Sequence, residues 1–180
     1  LKARIYDNII SILINNYYKN IEVELQRIAL NKTAEYILKN MREVQSVKTR
    51  YDVIDRAIQE TSIKEGLILE FGVFKGESIN YIAKKFPDEI VYGFDSFEGL
   101  PGAWRDGFDK GSFQIKNLAN IKFEKNITLI KGYFNETLPV FFKEHTLPIK
   151  FMHIDSDLYS SAVTIFNNIL NQIKSGTVIV

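Results

Sequence analysis

The carboxylates of this sequence that could do chemistry are Glu70, Asp95, Asp155 and Asp157, and each falls at or just after the end of a predicted strand. Asp95 follows Glu70 by 25 residues, at the end of the next strand. An acid at that position accepts hydrogen bonds from ribose hydroxyls in nucleotide-binding sheets. A strand-end acid can also be only a helix cap. Glu70 and the glycines beside it favour the ribose interpretation.

The second pair of acids lies in the stretch HIDSDLYSS. Two carboxylates at i and i+2, Asp155 and Asp157, with serines after them, offer the oxygen ligands that a hard divalent cation prefers. Asp157 and Ser160 could instead cap the helix that follows. Asp155 is harder to explain in that way, because it would share a sheet edge with Asp95. We expect His153 to be a packing residue behind this site rather than a base.

A glycine turn joins the first strand to its helix in the stretch LILEFGVFKGESIN, residues 67–80. Gly72 and Gly76 would let a ligand approach the backbone, and the helix N-terminus offers free N–H groups to an anion. The spacing lacks the middle glycine of the dinucleotide fingerprint, and Phe74 stands nearby instead, which argues against a nicotinamide cofactor. The alternative is a turn that only packs the strand on the helix.

The elements that must position these residues alternate from Gly66 onward. Alternation of strands and helices implies an α/β fold with a parallel sheet and helices on both faces, and it brings the carboxyl ends of the strands to one edge. Strands are predicted at 67–71, 90–94, 127–130, 151–154 and 177–180, with helices from the glycine turn to about 86, at 138–144 and at 160–174.

The first 65 residues are predicted to form an N-terminal helical extension, ahead of a nucleotide-binding domain at 66–180. Apolar residues recur at helical spacing from Ile5 to Leu13 and again over 21–30, caps at 31–33 predict a third helix, and Thr49 caps a fourth. We expect the extension to cover a sheet edge or to pair with a second subunit in a homo-oligomer.

A long connection, residues 96–126, interrupts the alternation. It contains four glycines and the aromatic residues Phe97, Trp104, Phe108 and Phe113. Long ordered loops in compact domains are usually lids or binding loops, and this one starts where a strand ends. We expect a lid; the alternative is an insertion whose aromatic residues pack on the core.

Composition excludes several classes of function. The 23 basic and 22 acidic residues nearly cancel, so no nucleic-acid partner is indicated. There is no cysteine, which excludes disulfides and thiolate metal sites, and two histidines make a multi-histidine zinc site improbable. No apolar stretch is long enough to span a membrane. A cytoplasmic protein with a small-molecule partner is the default.

Five blocks in order, EFGVFKGES, GFDSFEGLP, WRDGFDKGSF, KGYFNETLP and HIDSDLYSS, together resemble the macrocin-O-methyltransferase family of the TylF/MycF type. These are class I S-adenosylmethionine-dependent methyltransferases. The resemblance covers residues 66–180 and implies a Rossmann-like methyltransferase fold. Relatives of this type methylate sugar hydroxyls with the help of magnesium, so the resemblance implies both S-adenosylmethionine and Mg²⁺ as cofactors.

The resemblance also assigns roles to residues. It implies that Glu70, Gly72 and Gly76 line the methionine and sulfonium end of the cofactor and that Asp95 binds the ribose. It places Asp155 as a metal ligand at the catalytic centre, and the spacing of the two acids makes Asp157 a weaker second candidate. It implies that Ser96 and the region of Gly132 and Tyr133 lie near the adenine. The full set of predicted cofactor-binding residues is Glu70, Gly72, Phe74, Gly76, Ser78, Asp95, Ser96, Gly132 and Tyr133.

Members of that family continue beyond GTVIV into an acidic pair and further strands, whereas this sequence ends at Val180. We therefore expect a sheet truncated after its fifth strand, without the C-terminal strands. The leading hypothesis is an O-methyltransferase acting on a sugar or another small molecule. The alternatives are a catalytically incomplete cofactor-binding domain and a nicotinamide-dependent oxidoreductase of the same fold. The sequence does not identify the molecule that accepts the methyl group.

Overall fold

The computed structural model of the protein describes residues 5, 6, 8, 10–12, 14 and 20–180. Ile9 and Leu13, which belong to the first predicted helical face, lie outside the described residues. The chain divides into two compact units, Leu1–Ser46 and Val47–Val180. Among the residues that the structure describes, all the strands and all the candidate site residues lie in the second unit.

The second unit is built on a five-stranded parallel sheet, as predicted. The order across the sheet is β3-β2-β1-β4-β5, so the strand that precedes the glycine turn is central. Its neighbours β2 and β4 therefore bring their carboxyl ends to either side of that turn. The strands are β1 Leu67–Phe71, β2 Val91–Asp95, β3 Ile127–Lys131, β4 Ile149–Ile154 and β5 Val178–Ile179.

Helices cover both faces of this sheet because successive strand residues point to opposite faces. On one face, Ile68 and its neighbours pack under the helices α2, Arg50–Gln59, and α3, Glu77–Lys85. On the other face, Leu69 and its neighbours pack under α4, Phe134–Glu144, and α5, Tyr159–Ile169. All five residues of β1 are buried, which explains its nearly continuous apolar sequence.

Two helix boundaries differ from the prediction. Helix α4 begins at Phe134, four residues early, since the N–H groups of Glu136 and Thr137 bond back to the carbonyl of Tyr133 and Pro139 is tolerated inside the helix. Helix α5 ends at Ile169, where the N–H of Gln172 bonds to the Ile169 carbonyl and closes a tighter turn. Helix α2 agrees with the prediction and carries a reciprocal capping box at Thr49 and Asp52.

In the first unit, residues Ile21–Asn40 form one unbroken helix, α1. Two helices separated at 31–33 were predicted there, and that prediction is wrong. The hydroxyl of Thr33 bonds to the carbonyl of Ala29 in its own helix, 2.9 Å away, instead of capping a new one. None of the residues of α1 is buried. Among the residues that the structure describes, no helix is long and apolar enough to cross a membrane.

Candidate functional site

A cavity of about 520 Å³ opens at the carboxyl edge of the sheet. This is where ligands bind in open α/β sheets, because the turns after neighbouring strands diverge there. Most of the residues predicted for the site line the cavity, and Glu70 and Gly76 do not. The predicted residues in its wall are Gly72, Phe74, Ser78, Asp95, Ser96, Gly132, Tyr133, Asp155 and Asp157.

The glycine turn is held by backbone contacts that only glycine allows. Gly72 has φ +92°, and a Cβ there would lie 2.0 Å from the carbonyl oxygen of Asp155. Its N–H donates to the carbonyl of Phe94, and the N–H of Asp155 donates to the carbonyl of Phe71. The turn is therefore wedged between β2 and β4. Gly76, φ +78°, begins α3, and a Cβ there would meet the ring of Phe123.

The carboxylate of Asp95 holds two turns, the one after β1 and the one after its own strand, β2. Its Oδ2 accepts hydrogen bonds of 2.8 Å from the N–H groups of Val73 and Phe74, and its Oδ1 accepts one of 2.7 Å from Phe97. Oδ1 keeps a free lone pair, so the carboxylate can still accept from a ligand hydroxyl. The sequence left two roles open for Asp95, binding of ribose hydroxyls and capping of a helix. In the structure its carboxylate holds two turns through hydrogen bonds and also lines the cavity.

Glu70 stands behind the cavity rather than in its wall. It is fully buried, and its Oε1 lies 2.8 Å from Nδ1 of His153, its register partner on β4. Its other oxygen, Oε2, has no hydrogen-bond partner among the described residues. Burial raises the pKa of Glu70, and the hydrogen bond with His153 opposes that rise. The pair gives His153 the supporting position that the sequence predicted for it.

Asp155 and Asp157 face the cavity together at the end of β4. Asp157 has φ +58°, a conformation that costs energy outside glycine and often marks functional turns. Its pKa is raised, chiefly because its carboxylate is partly withdrawn from water and further because the charge of Asp155 is close. Within the described part of the chain, no group of three or more potential metal-ligating side chains occurs.

The lining residues that were not predicted include Arg50, Lys75, Asn135 and Thr164. Arg50 reaches the cavity from α2 and forms an ion pair of 2.7 Å with Glu77 at the start of α3. Nothing in the sequence links two residues 27 positions apart on different helices. Lys75, by contrast, lies within the glycine turn, so its place in that motif could have identified it as a site residue from the sequence.

Comparison with known proteins agrees with this arrangement. Residues 69–180 match a protein family described as a methyltransferase domain. No curated protein gives a significant match to the sequence.

Three solved structures share the fold. The crystal structure of CalS11, described as a calicheamicin methyltransferase, has a TM-score of 0.64 at 21% identity, over 89% of this chain and 77% of that one. An apo structure of CalS11, described as a TDP-rhamnose 3'-O-methyltransferase of calicheamicin biosynthesis, scores 0.53 at 20% identity, over 81% and 68%. The O-methyltransferase NovP scores 0.50 at 20% identity, over 69% and 60%.

Proposed function

The chain belongs to the methyltransferase-domain family and is an S-adenosylmethionine-dependent methyltransferase, and on that premise we propose that it methylates a hydroxyl oxygen of a sugar-containing small molecule. The observation that carries this proposal is the cavity, whose wall combines a glycine turn, the acid at the end of β2 and two acids after β4. Its volume is in the range of small-molecule sites. The five sequence blocks support the finer assignment to the macrocin-O-methyltransferase type.

Similar proteins support a sugar acceptor. CalS11 is described as acting on TDP-rhamnose, and NovP is described as an O-methyltransferase. A hydroxyl acceptor also suits the wall of this cavity after β4, where carboxylates and the hydroxyls of Ser160 and Ser161 offer hydrogen bonds to a polar, ring-shaped substrate.

The residues present fit S-adenosylmethionine. The glycine turn after β1 lines the cavity at Gly72, and the N-terminus of α3 offers unpaired N–H groups to a carboxylate. Oδ1 of Asp95 has a free lone pair for a ribose hydroxyl. Ser96 and Tyr133 lie beside Asp95 in the wall, where we propose that they border the adenine. The bound cofactor supplies an activated methyl group on its sulfonium.

Asp155 and Asp157 would hold a magnesium ion, which binds oxygen ligands and needs only one or two carboxylates. Their two negative charges lie close together in the cavity and repel each other, and a bound cation would offset that repulsion. Such an ion, when bound, acts as a Lewis acid toward an oxygen ligand. The chain itself has to align the acceptor hydroxyl with the methyl group and to exclude water from the site. The aromatic side chains of Phe74 and Phe113, which line the cavity, would exclude water.

Thermal stability tests the cofactor assignment. S-adenosylhomocysteine at about 100 times its dissociation constant should stabilise the protein by about 2.7 kcal/mol and raise its Tm by about 5–10 °C. NAD at the same concentration should leave Tm unchanged, since the turn lacks the middle glycine of the dinucleotide fingerprint. Stabilisation by NAD alone would contradict the proposal. Transfer of labelled methyl from S-adenosylmethionine to a panel of sugars then tests the acceptor.

Asp95→Ala tests the ribose contact. Loss of a charge-assisted hydrogen bond should weaken S-adenosylhomocysteine binding by about 1.5–3 kcal/mol, measured by calorimetric titration. The variant also leaves three backbone N–H groups without their acceptor, so Tm should fall as well. A lower Tm with an unchanged dissociation constant, measured well below that Tm, would show that Asp95 only holds the turns.

A further inference from the structure

Four aromatic side chains form a continuous row that starts in the cavity wall and runs outward along the long loop. We call Phe74, Phe113, Phe108 and Trp104 the aromatic row. The ring centroids of Phe74 and Phe113 are 5.5 Å apart, those of Phe113 and Phe108 are 5.4 Å apart and stacked, and those of Phe108 and Trp104 are 5.4 Å apart. Phe74 and Phe113 line the cavity, so the row continues its wall.

Packing of the core does not explain this row. Phe74, Phe113 and Trp104 remain 36–37% exposed, which is costly for large aromatic side chains. Phe74 has φ +48° and Phe113 has φ +68°, a region that bulky residues rarely adopt. Strain and exposure at the same two residues, both in a cavity wall, indicate a binding surface.

The loop that carries the row is well fixed. The N–H of Leu100 donates to the carbonyl of Ser112, that of Gly111 donates to Leu100, and that of Ile115 donates to Phe97. Within the row, the N–H of Trp104 donates to the carbonyl of Phe108 over 3.0 Å. The exposed rings are therefore presented by a closed, hydrogen-bonded loop.

Two cations accompany the rings. The guanidinium carbon of Arg105 lies 4.1 Å from the ring centroid of Trp104 and 5.0 Å from that of Phe108. The ammonium of Lys75 lies 5.1 Å from the ring of Phe74, and Lys75 also lines the cavity. In the chain from residue 20 onward, neither cation forms an ion pair with a carboxylate. Lys75 is available to neutralise an anionic ligand, and the charge of Arg105, which also acts on Asp157 and opposes the rise in the pKa of that carboxyl, can do so as well.

We propose that the aromatic row, with Arg105 and Lys75, binds the nucleoside diphosphate portion of a nucleotide-activated sugar, whose sugar ring enters the cavity. This inference rests on the proposed function and specifies its acceptor. Rings offer a stacking surface for a base, and exposed cations beside them take phosphate oxygens, which is the combination that nucleotide-binding surfaces use. An uncharged aromatic acceptor would leave the cations without a role, and a bare phosphate would leave the exposed rings without one.

The experiment uses the protein saturated with S-adenosylhomocysteine, so that the cofactor site is filled. UDP and thymidine diphosphate are titrated by calorimetry and by the fluorescence of Trp104, which is the one tryptophan of the sequence. We expect saturable binding and a change in Trp104 emission with both diphosphates, and binding at least tenfold weaker with uridine or pyrophosphate. Affinity should fall with added salt, because the cations are exposed.

Variants separate the two parts of the site. Arg105→Gln should weaken UDP binding by about tenfold, as for the loss of one charge-assisted contact, and Phe108→Leu by about fivefold or more, as for the loss of one stacked ring. Lys125→Gln, a control at an exposed lysine outside both the row and the cavity, should leave the affinity unchanged. All three variants should keep the S-adenosylhomocysteine affinity and Tm of the parent, which shows that they are folded.

Three results would overturn the inference: no UDP binding with or without S-adenosylhomocysteine, equal affinity for UDP and pyrophosphate, or UDP binding to the cofactor-free protein alone, from which S-adenosylhomocysteine displaces it. The third would mean that the row serves the cofactor adenine. Failure of the proposed function is a separate result, since it would appear as absent S-adenosylhomocysteine binding or absent methyl transfer to every sugar, with or without a nucleotide.

Discussion

Gly72→Ala is expected to destabilise the protein by about 3–5 kcal/mol, which is close to the limit for a single substitution. A Cβ at this position would lie 2.0 Å from the carbonyl oxygen of Asp155, and the contact is with backbone rather than with a side chain that could rotate away. The φ of +92° adds a further cost for any L-residue. Because the turn is wedged between β2 and β4, relief of the clash would require the sheet edge to open.

Thermal unfolding and calorimetry measure this effect. Tm should fall by about 10 °C or more, since about 1 kcal/mol corresponds to about 2–4 °C in a chain of this size. Binding of S-adenosylhomocysteine should be lost with it, because the same turn faces the cavity. Gly102→Ala is the matched control: no atom lies within 4 Å of its added Cβ, and stability should change by less than about 0.5 kcal/mol. A Gly72→Ala protein with parental Tm and affinity would contradict the role given to the turn.

Asp155→Asn is expected to reduce methyl transfer by about a thousandfold or more while S-adenosylhomocysteine binding stays within about twofold of the parent. The substitution keeps the shape of the side chain and removes the charge that would hold the metal. The proposed cofactor contacts lie mainly on β1, β2 and the turn after β3, so the affinity for the cofactor should be retained. Asp157→Asn should cause a smaller loss, because Asp157 is the weaker candidate for a ligand.

Single-turnover transfer of labelled methyl, with and without chelator, is the measurement for both variants. Parental protein should lose activity in excess chelator and regain it with magnesium, whereas Asp155→Asn should not regain it. Full activity of the parental protein in chelator, or of Asp155→Asn under any condition, would show that no metal acts at Asp155. If Asp155→Asn lost as much affinity for S-adenosylhomocysteine as it lost methyl-transfer activity, Asp155 would be assigned to cofactor binding instead.

Local sequence determined the fold and the edge at which the site lies. The apolar run before Gly72 predicts a buried strand, the change from strand to helix period predicts α3, and repeated alternation predicts a parallel sheet. Once the sheet is parallel, acids that follow different strands must meet at one edge, whatever the strand order. For that reason Asp95, Asp155 and Asp157 could be placed together from sequence spacing, and the structure lines one cavity with them.

Only the tertiary structure decided the contacts between distant elements. Strand register pairs Glu70 with His153, so Glu70 is buried behind the cavity instead of lining it. Helix packing brings Arg50 from α2 to Glu77. The closure of the long loop brings Phe113 against Phe74 of the glycine turn. Periodicity reports which face of an element is buried, and it carries no information on what that face meets. Such contacts are set by register, crossover and loop closure, which depend on the packed chain as a whole.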